Sequence, residues 1–431
     1  MFHPKAVCGW VTLTVLIAGL AANAADEKQV AAVWPQWRGP HRDGVSEEKG
    51  LLREWGANGP PLAWKVKGLG VGYSSVVIGD GRIFTMGKRG NEEFVIALEN
   101  KADGKELWAT QVGKAWGDGP RCTPTLDGDR VYAIGPYGDL ICVEAASGKE
   151  IWRKNFGKDF GGKMMSGWGF CESPLIDENK LVCTPGSNDA AIVALNKLTG
   201  ETIWKSAFPE MGIGARGKDG AGYSSIVISN AAGVKQYVQL TGRGCIGVKA
   251  DDGKFLWGYN AIANGTANIP TPIVDGDFVF CSSGYGTGAA LLKLSKAGDG
   301  VKADQVYFLD PKVMQNHHGG LVKIGDYIYG GHGHNKGFPI CIEMKSGKVM
   351  WFEGRGPGTG SAAVVAADGQ LYFRYQDGIM ALIEATPESY KLHGTFHIPD
   401  VSSPSWAHPV VANGKLYLRE QDQLFVYNVG Q

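Results

Sequence analysis

The chain has 431 residues, 43 basic and 43 acidic side chains, and a hydrophobic share of 44%. That balance excludes the basic footprint of a nucleic-acid binder and gives no electrostatic reason for docking on a membrane surface. The 64 glycines sit in a chain too apolar for disorder, so they read as the turns of an all-β protein.

Residues 1–24 read as a secretory signal. Lys5 precedes an apolar run over residues 7–22, and Ala22-Asn23-Ala24 is a small-x-small cleavage site. The run is short for a membrane span; an uncleaved anchor is the alternative. Cys8 precedes most of that run and does not read as a lipid acceptor. No later segment is apolar enough to cross a bilayer. The expectation is a soluble protein, periplasmic or secreted after cleavage near Ala24. Residues 25–60 follow as an extended N-terminal segment. Trp34-Pro35-Gln36-Trp37-Arg38-Gly39-Pro40 is too rich in Pro and Gly for a regular element, and predicts an extended path along the fold with Trp34 and Trp37 covering apolar surface. A disordered leader is the alternative, which two Trp in so short a stretch oppose.

From residue 61 a motif recurs. Ala194…Asn196…Thr199-Gly200…Trp204 returns as Cys142…Glu144…Ser147-Gly148…Trp152, as Gly247…Lys249…Asp252-Gly253…Trp257 and as Cys341…Glu343…Ser346-Gly347…Trp351. Each copy is a small strand residue, a polar turn closed by Gly, and a strand carrying Trp. A period of about 45 residues is the signature of a repeat architecture. Each repeat opens with another hairpin, turning at Gly79-Asp80-Gly81, Asp127-Gly128-Asp129, Asp177-Glu178-Asn179, near Ser229-Asn230, at Asp275-Gly276-Asp277, Ile324-Gly325-Asp326, Ala367-Asp368-Gly369 and Ala412-Asn413-Gly414. Residues 61–431 therefore read as one eight-bladed β-propeller of four-stranded blades. The last repeat lacks its fourth strand, and Leu62-Ala63-Trp64-Lys65 is expected to supply it and remove an exposed edge. Phe308 and Phe396 are expected to replace Trp in the fifth and seventh blades.

Seven cysteines follow the leader, an odd number with no C-x-x-C spacing. Cys142 and Cys341 fill the small position of Ala194 and Gly247. Cys183 and Cys281 fill the slot of Ala133. These read as packing residues, while Cys122, Cys171 and Cys245 stay unassigned.

One end of the ring carries ordinary Asp-Gly and Thr-Gly turns. The other carries the blade-to-blade joins and the loops between second and third strands, where chemistry-bearing residues gather. Tyr73, Arg121, Trp168, Tyr223, Arg243, Trp406 and His408 are candidate cofactor or ligand contacts there, with Tyr285 in an adjoining loop. The Tyr and Trp side chains would stack on a ring or else fill the channel mouth. The Arg side chains would clamp an anion or else form surface ion pairs. His317 and His318 in blade 6 are candidate acid–base residues. With His332 and His334 they form a cluster that suits a transition metal or, alternatively, hydrogen-bonded packing of a glycine-rich loop. On a regular strand His317 and His318 would face opposite sides. Glu172 and Asn268, on blades 3 and 5, offer oxygen ligands for Ca²⁺, or else act as polar caps on strand starts.

The Trp-bearing repeats resemble the tryptophan-docking repeats of pyrroloquinoline-quinone (PQQ) propellers, over essentially all of residues 61–431. The resemblance implies an eight-bladed ring. That family includes periplasmic quinoprotein alcohol and sugar dehydrogenases, which hold PQQ over Ca²⁺ in the channel, and BamB-type assembly scaffolds without a cofactor. Trp34 to Pro40, the His332-Gly333-His334 loop and Pro404-Ser405-Trp406-Ala407-His408-Pro409 also look like those of secreted PQQ-like proteins. The dehydrogenases carry a disulfide between adjacent cysteines and an Asp base. This chain has no Cys-Cys and reads Asn316-His317-His318 at the start of blade 6. The leading expectation is one small-molecule site in an alcohol or sugar oxidoreductase; the alternative is a non-catalytic, BamB-like binding scaffold with a protein partner.

Overall fold

The computed structural model describes residues 1–3, 33–208 and 216–431. The leader expected over residues 1–24 lies, apart from its first three residues, outside the described residues. Eight antiparallel sheets, each built around one sequence repeat, form an eight-bladed β-propeller. Among the described residues the helices are one turn at Phe156–Phe160 and a short 3-10 turn at Ala231–Gly233.

Each blade starts at the channel and works outward. In blade 2 the order is Thr125–Asp127, Arg130–Ile134, Asp139–Glu144 and Glu150–Asn155. Second and third strands are almost wholly buried because neighbouring blades cover both faces, whereas outer strands face solvent in part. The first hairpins turn through residues with positive φ, such as Asp368 (48°) followed by Gly369 (75°) and Asn413 (54°) followed by Gly414 (64°). Positive φ at both central residues defines the turn whose twist matches paired strands, and Asp, Asn and Gly tolerate it best.

The Trp of each repeat locks its blade to the next. The Trp152 indole N–H donates to the Lys197 carbonyl at 3.1 Å, and Trp351 donates to the Thr386 carbonyl at 2.7 Å. A side chain at Gly200 would strike the Trp152 ring 2.9 Å away, so that Gly is required as much for close approach as for its φ of 74°. In blade 5 the strand bulge places Tyr307, not Phe308, in the Trp position. Its hydroxyl donates to the Met344 carbonyl at 2.6 Å, as the indoles do elsewhere. In blade 7 the equivalent residue is Gly394, and Trp55 from the N-terminal segment fills the vacated space against Phe396 and Tyr372. The expectation at Phe308 fails by one residue because the bulge shifts which side chain points to the neighbour.

The ring closes as expected: Leu62–Lys67 pairs antiparallel with Gln423–Asn428 as the outer strand of blade 8. The segment before it takes a different path from the one expected. Trp34 bridges Ile78 of blade 1, the Pro35 carbonyl accepts from Leu126 of blade 2, and Val45–Ser46 runs parallel to the innermost strand of blade 7. Residues 33–46 thus form a loop inserted into the central channel from the end with the tight turns. Trp37 and Arg38 lie at its tip.

Candidate functional site: the channel mouth

The register of the innermost strands decides which residues reach the channel. Tyr73, Arg121, Cys171, Tyr223, Ile269, His318 and Trp406 are equivalent, each six residues before the end of its blade's first strand. Two positions later come Ser173, Ser225, Thr271, Gly320 and His408. All of these line one cavity of about 310 Å³, closed below by Trp37 and Arg38 and joined by Asp118, Trp168, Tyr285 and His317. That volume is at the lower end of small-molecule sites. Apart from Pro270, residues between the two sets alternate away from the channel, as the period of a strand requires.

A chain of hydroxyls holds these joins in place. Ser75 N–H donates to Thr123 Oγ1 (3.1 Å), Thr123 N–H to Ser173 Oγ (3.0 Å) and Ser173 N–H to Ser225 Oγ (3.0 Å), so each blade start is capped by the next. Sequence reasoning named the first residue of several of these joins but missed the hydroxyl two positions later; its recurrence in successive repeats was the available signal.

Six of the seven ligand-contact candidates line the cavity: Tyr73, Arg121, Trp168, Tyr223, Trp406 and His408. Arg121 makes a two-oxygen contact with Asp118 at 2.8 and 3.0 Å and lies over the Tyr73 ring. Arg243 is elsewhere, paired with Asp219 at 2.6 Å and stacked on Phe208. Trp37, read from sequence as covering apolar surface, and Arg38, read only as part of the extended segment, are the floor.

His317 and His318 both line the cavity, because residues 317–320 precede the strand that begins at Leu321 and escape its alternation. His317 Nδ1 is 2.7 Å from Ser361 Oγ, and its Nε2 is 3.0 Å from Tyr285 Oη. With its proton on Nδ1, the ring donates to Ser361 and accepts from the Tyr285 hydroxyl, a route for moving a proton to or from a group at Tyr285. Burial, assisted by His334, pushes the His317 pKa down to about 4. Burial, with Arg38 beside it, pushes His408 down to about 3. These imidazoles are neutral at physiological pH. Tyr285 (φ 58°) and His334 (φ 55°) both hold the left-handed backbone region and pack ring to ring at 4.4 Å. Such strain collects where a side chain is aimed for a purpose.

The residues named for a metal are not brought together. His332 turns away, its Nδ1 accepting from Gln315 N–H at 3.2 Å and its ring against Phe352. His334 Nδ1 faces the Tyr285 amide at 3.4 Å. Among the described residues no group of three or more His, Cys, Asp or Glu is placed to hold a metal ion. Glu172, between Cys171 and Ser173, alternates away from the channel into the body of the blade. Its Oε2 accepts from Thr184 N–H (2.7 Å), and its Oε1 accepts from Thr184 Oγ1 (2.9 Å) and Gln239 Nε2 (3.1 Å). Burial raises its pKa to about 8. Asn268 Oδ1 accepts from Asn264 N–H at 2.9 Å, and Nδ2 donates to the Thr241 carbonyl at 3.0 Å. Both serve as internal caps, and neither lines the cavity. The cavity rings are also tilted: Tyr73 and Trp406 by 40°, Trp168 and Tyr223 by 73°. They offer no parallel pair to sandwich a flat cofactor. The residues present do not fit PQQ held over Ca²⁺.

A family model described as outer membrane protein assembly factor BamB matches residues 91–353. The chain belongs to the BamB family of propellers. Within it, the outer membrane protein assembly factor BamB of Burkholderia pseudomallei is 28% identical over 343 residues, 78% of this chain and 79% of that relative. Among solved structures, BamB from Moraxella catarrhalis superposes with a TM-score of 0.58 at 13% identity, covering 85% of this chain and 97% of the other. Quinohemoprotein alcohol dehydrogenase from Comamonas testosteroni superposes with a TM-score of 0.62 at 14% identity, covering 92% and 80%. At such identities these structures share the fold with this BamB-family chain, and function must be argued from the site. Among the described residues no helix is long and apolar enough to cross a membrane.

Proposed function

We propose that this chain is an extracytoplasmic sugar-binding propeller, with its ligand in the cavity at the loop-rich end of the channel. The observation that carries this is the lining: Trp37, Tyr73, Trp168, Tyr223, Tyr285 and Trp406 surround the space, with Tyr73 tilted against Trp406 and Trp168 against Tyr223, and neutral imidazoles and hydroxyls between them. Tilted aromatic faces suit the C–H edges of a puckered ring, and a few convergent polar groups orient its hydroxyls. His317 with Tyr285 is the pair to carry acid–base work should the bound sugar be turned over. A PQQ-dependent oxidoreductase is disfavoured by the engaged Glu172 and Asn268.

Titration of tryptophan fluorescence with hexoses tests the reading. Saturable change is expected, and Trp406→Ala should weaken it about tenfold, the worth of one stacking face. No response to any hexose, or identical binding by Trp406→Ala, would count against a sugar site. The family match favours a second reading, a binding or assembly scaffold acting through a protein partner. Cross-linking in the native host would then yield a partner whose capture is indifferent to Trp406→Ala.

A further inference from the structure

Building on the sugar-cavity reading, we propose that the ligand bears a single carboxylate, a uronic-acid-type sugar acid whose acid group sits on Arg38 at the cavity floor. Arg38 is only 5% exposed. Its Nη2 donates to the Asp43 carbonyl at 2.8 Å and to the Leu321 carbonyl. Neither Nη1 nor Nε has a hydrogen-bond partner among the described residues. Asp43 contributes its backbone carbonyl here; its exposed carboxylate, held by Val45 N–H, acts on Arg38 as an opposite charge but makes no hydrogen bond to it.

The charge inventory singles out this residue. The cavity lining holds two guanidinium groups, Arg121 and Arg38, and one carboxylate, Asp118. Asp118 is matched to Arg121 through both oxygens. The imidazoles that face Arg38, His318 and His408, are neutral. One cation is therefore left at the floor with no carboxylate hydrogen-bonded to it inside the cavity, only the exposed Asp43 charge behind it, in a place where an incompletely matched charge is costly. Nearby Trp37 Nε1 and His318 Nε2 also lack partners among the described residues. A single carboxylate offers the charge and the acceptor lone pairs that this corner lacks. Gly320 keeps the corner open, since a side chain there would meet Arg38 Nη1 and the His408 ring. One incompletely matched cation and a cavity of about 310 Å³ suit one acid group on one ring.

Calorimetric titration of the full chain with glucuronate and galacturonate, against glucose and galactose, separates the two claims. A uronate should bind at least about tenfold more tightly than its parent hexose, the usual worth of a charged hydrogen bond. Arg38→Gln should abolish that preference, and Arg38→Lys should keep part of it. Because Arg38 also fastens the channel loop, thermal unfolding of both variants accompanies the titrations. Equal binding of uronates and hexoses by the wild type would overturn the carboxylate inference and leave the sugar cavity standing, as would a preference that survives in Arg38→Gln. Binding of neither class would overturn both.

Discussion

The two ends of the ring are built by opposite rules. At the end with the tight turns, polar groups pair between blades: the Trp152 and Trp351 indoles donate to the next blade's carbonyls, Tyr237 Oη donates to Asp177 at 2.6 Å, and Lys235 bridges Asp177 and Glu178, while the Trp204 indole packs without a hydrogen-bond partner among the described residues. At the loop-rich end, Arg38, Trp37 and His318 keep unpaired nitrogens, imidazoles are held neutral, and two residues adopt left-handed backbone beside each other. The first end repeats blade after blade because its task, locking neighbours, is the same everywhere. The second keeps a repeating hydroxyl at Thr123, Ser173 and Ser225 but varies the residues that face the channel from blade to blade. Matched polar groups stabilise; unmatched ones are tolerated where a ligand completes them.

That contrast is sharpest for a change at the matched end. Trp351→Ala should cost about 3–5 kcal/mol, through a lost aromatic plug and an orphaned Thr386 carbonyl. Thermal unfolding would show it as a fall in Tm, while sugar binding by the folded protein stays unchanged. Parallel loss of binding would show that the two ends are not independent.

Between the ends lies Glu172, read from sequence as a metal ligand and found as a buried cap. Its folded pKa of about 8 exceeds the ordinary carboxylate value of 4.5, so the folded state holds a proton that the unfolded chain has released. Stability from this group is full below about pH 4.5 and is lost as pH rises toward about 8. His317 and His408, with depressed values, act in the opposite sense, losing stability as pH falls below 6.5 toward about 4 and about 3. Between pH 6.5 and 8 only the carboxyl side of this balance operates, with Glu93, raised to about 7 by burial, acting in the same direction. Tm should fall across that window, and Glu172→Gln should flatten the slope, an effect on the order of 1–3 kcal/mol. An unchanged slope would mean that Glu172 is ionised in the folded protein.

The smallest effect is expected at Arg243. Outside the cavity and held by Asp219 and Phe208, it should tolerate substitution by Ala with less than a twofold change in sugar affinity, against the large effect of Arg38→Gln. A tenfold loss would extend the site beyond the cavity.

Much of this molecule was legible in residue order. The spacing of Gly200 and Trp204, repeated at Gly148 and Trp152, dictates the blade. The incomplete last repeat dictates closure by residues 62–67, because a strand edge must be paired. The concentration of Tyr73, Arg121, Tyr223, Trp406 and His408 at the joins points to the end that carries the cavity. Local pattern suffices for these because hairpins and blade contacts are set by near neighbours in sequence. Tertiary structure alone decided the rest. Alternation counted from each turn sends Cys171 and Ser173 to the channel and Glu172 into the blade, and a single bulge substitutes Tyr307 for Phe308. Residues 33–46 enter the channel and carry Arg38 to a corner formed by blades 6 and 8, more than 280 residues away along the chain. No local propensity encodes that meeting, because it depends on the closed ring leaving a channel wide enough to be filled by another part of the chain.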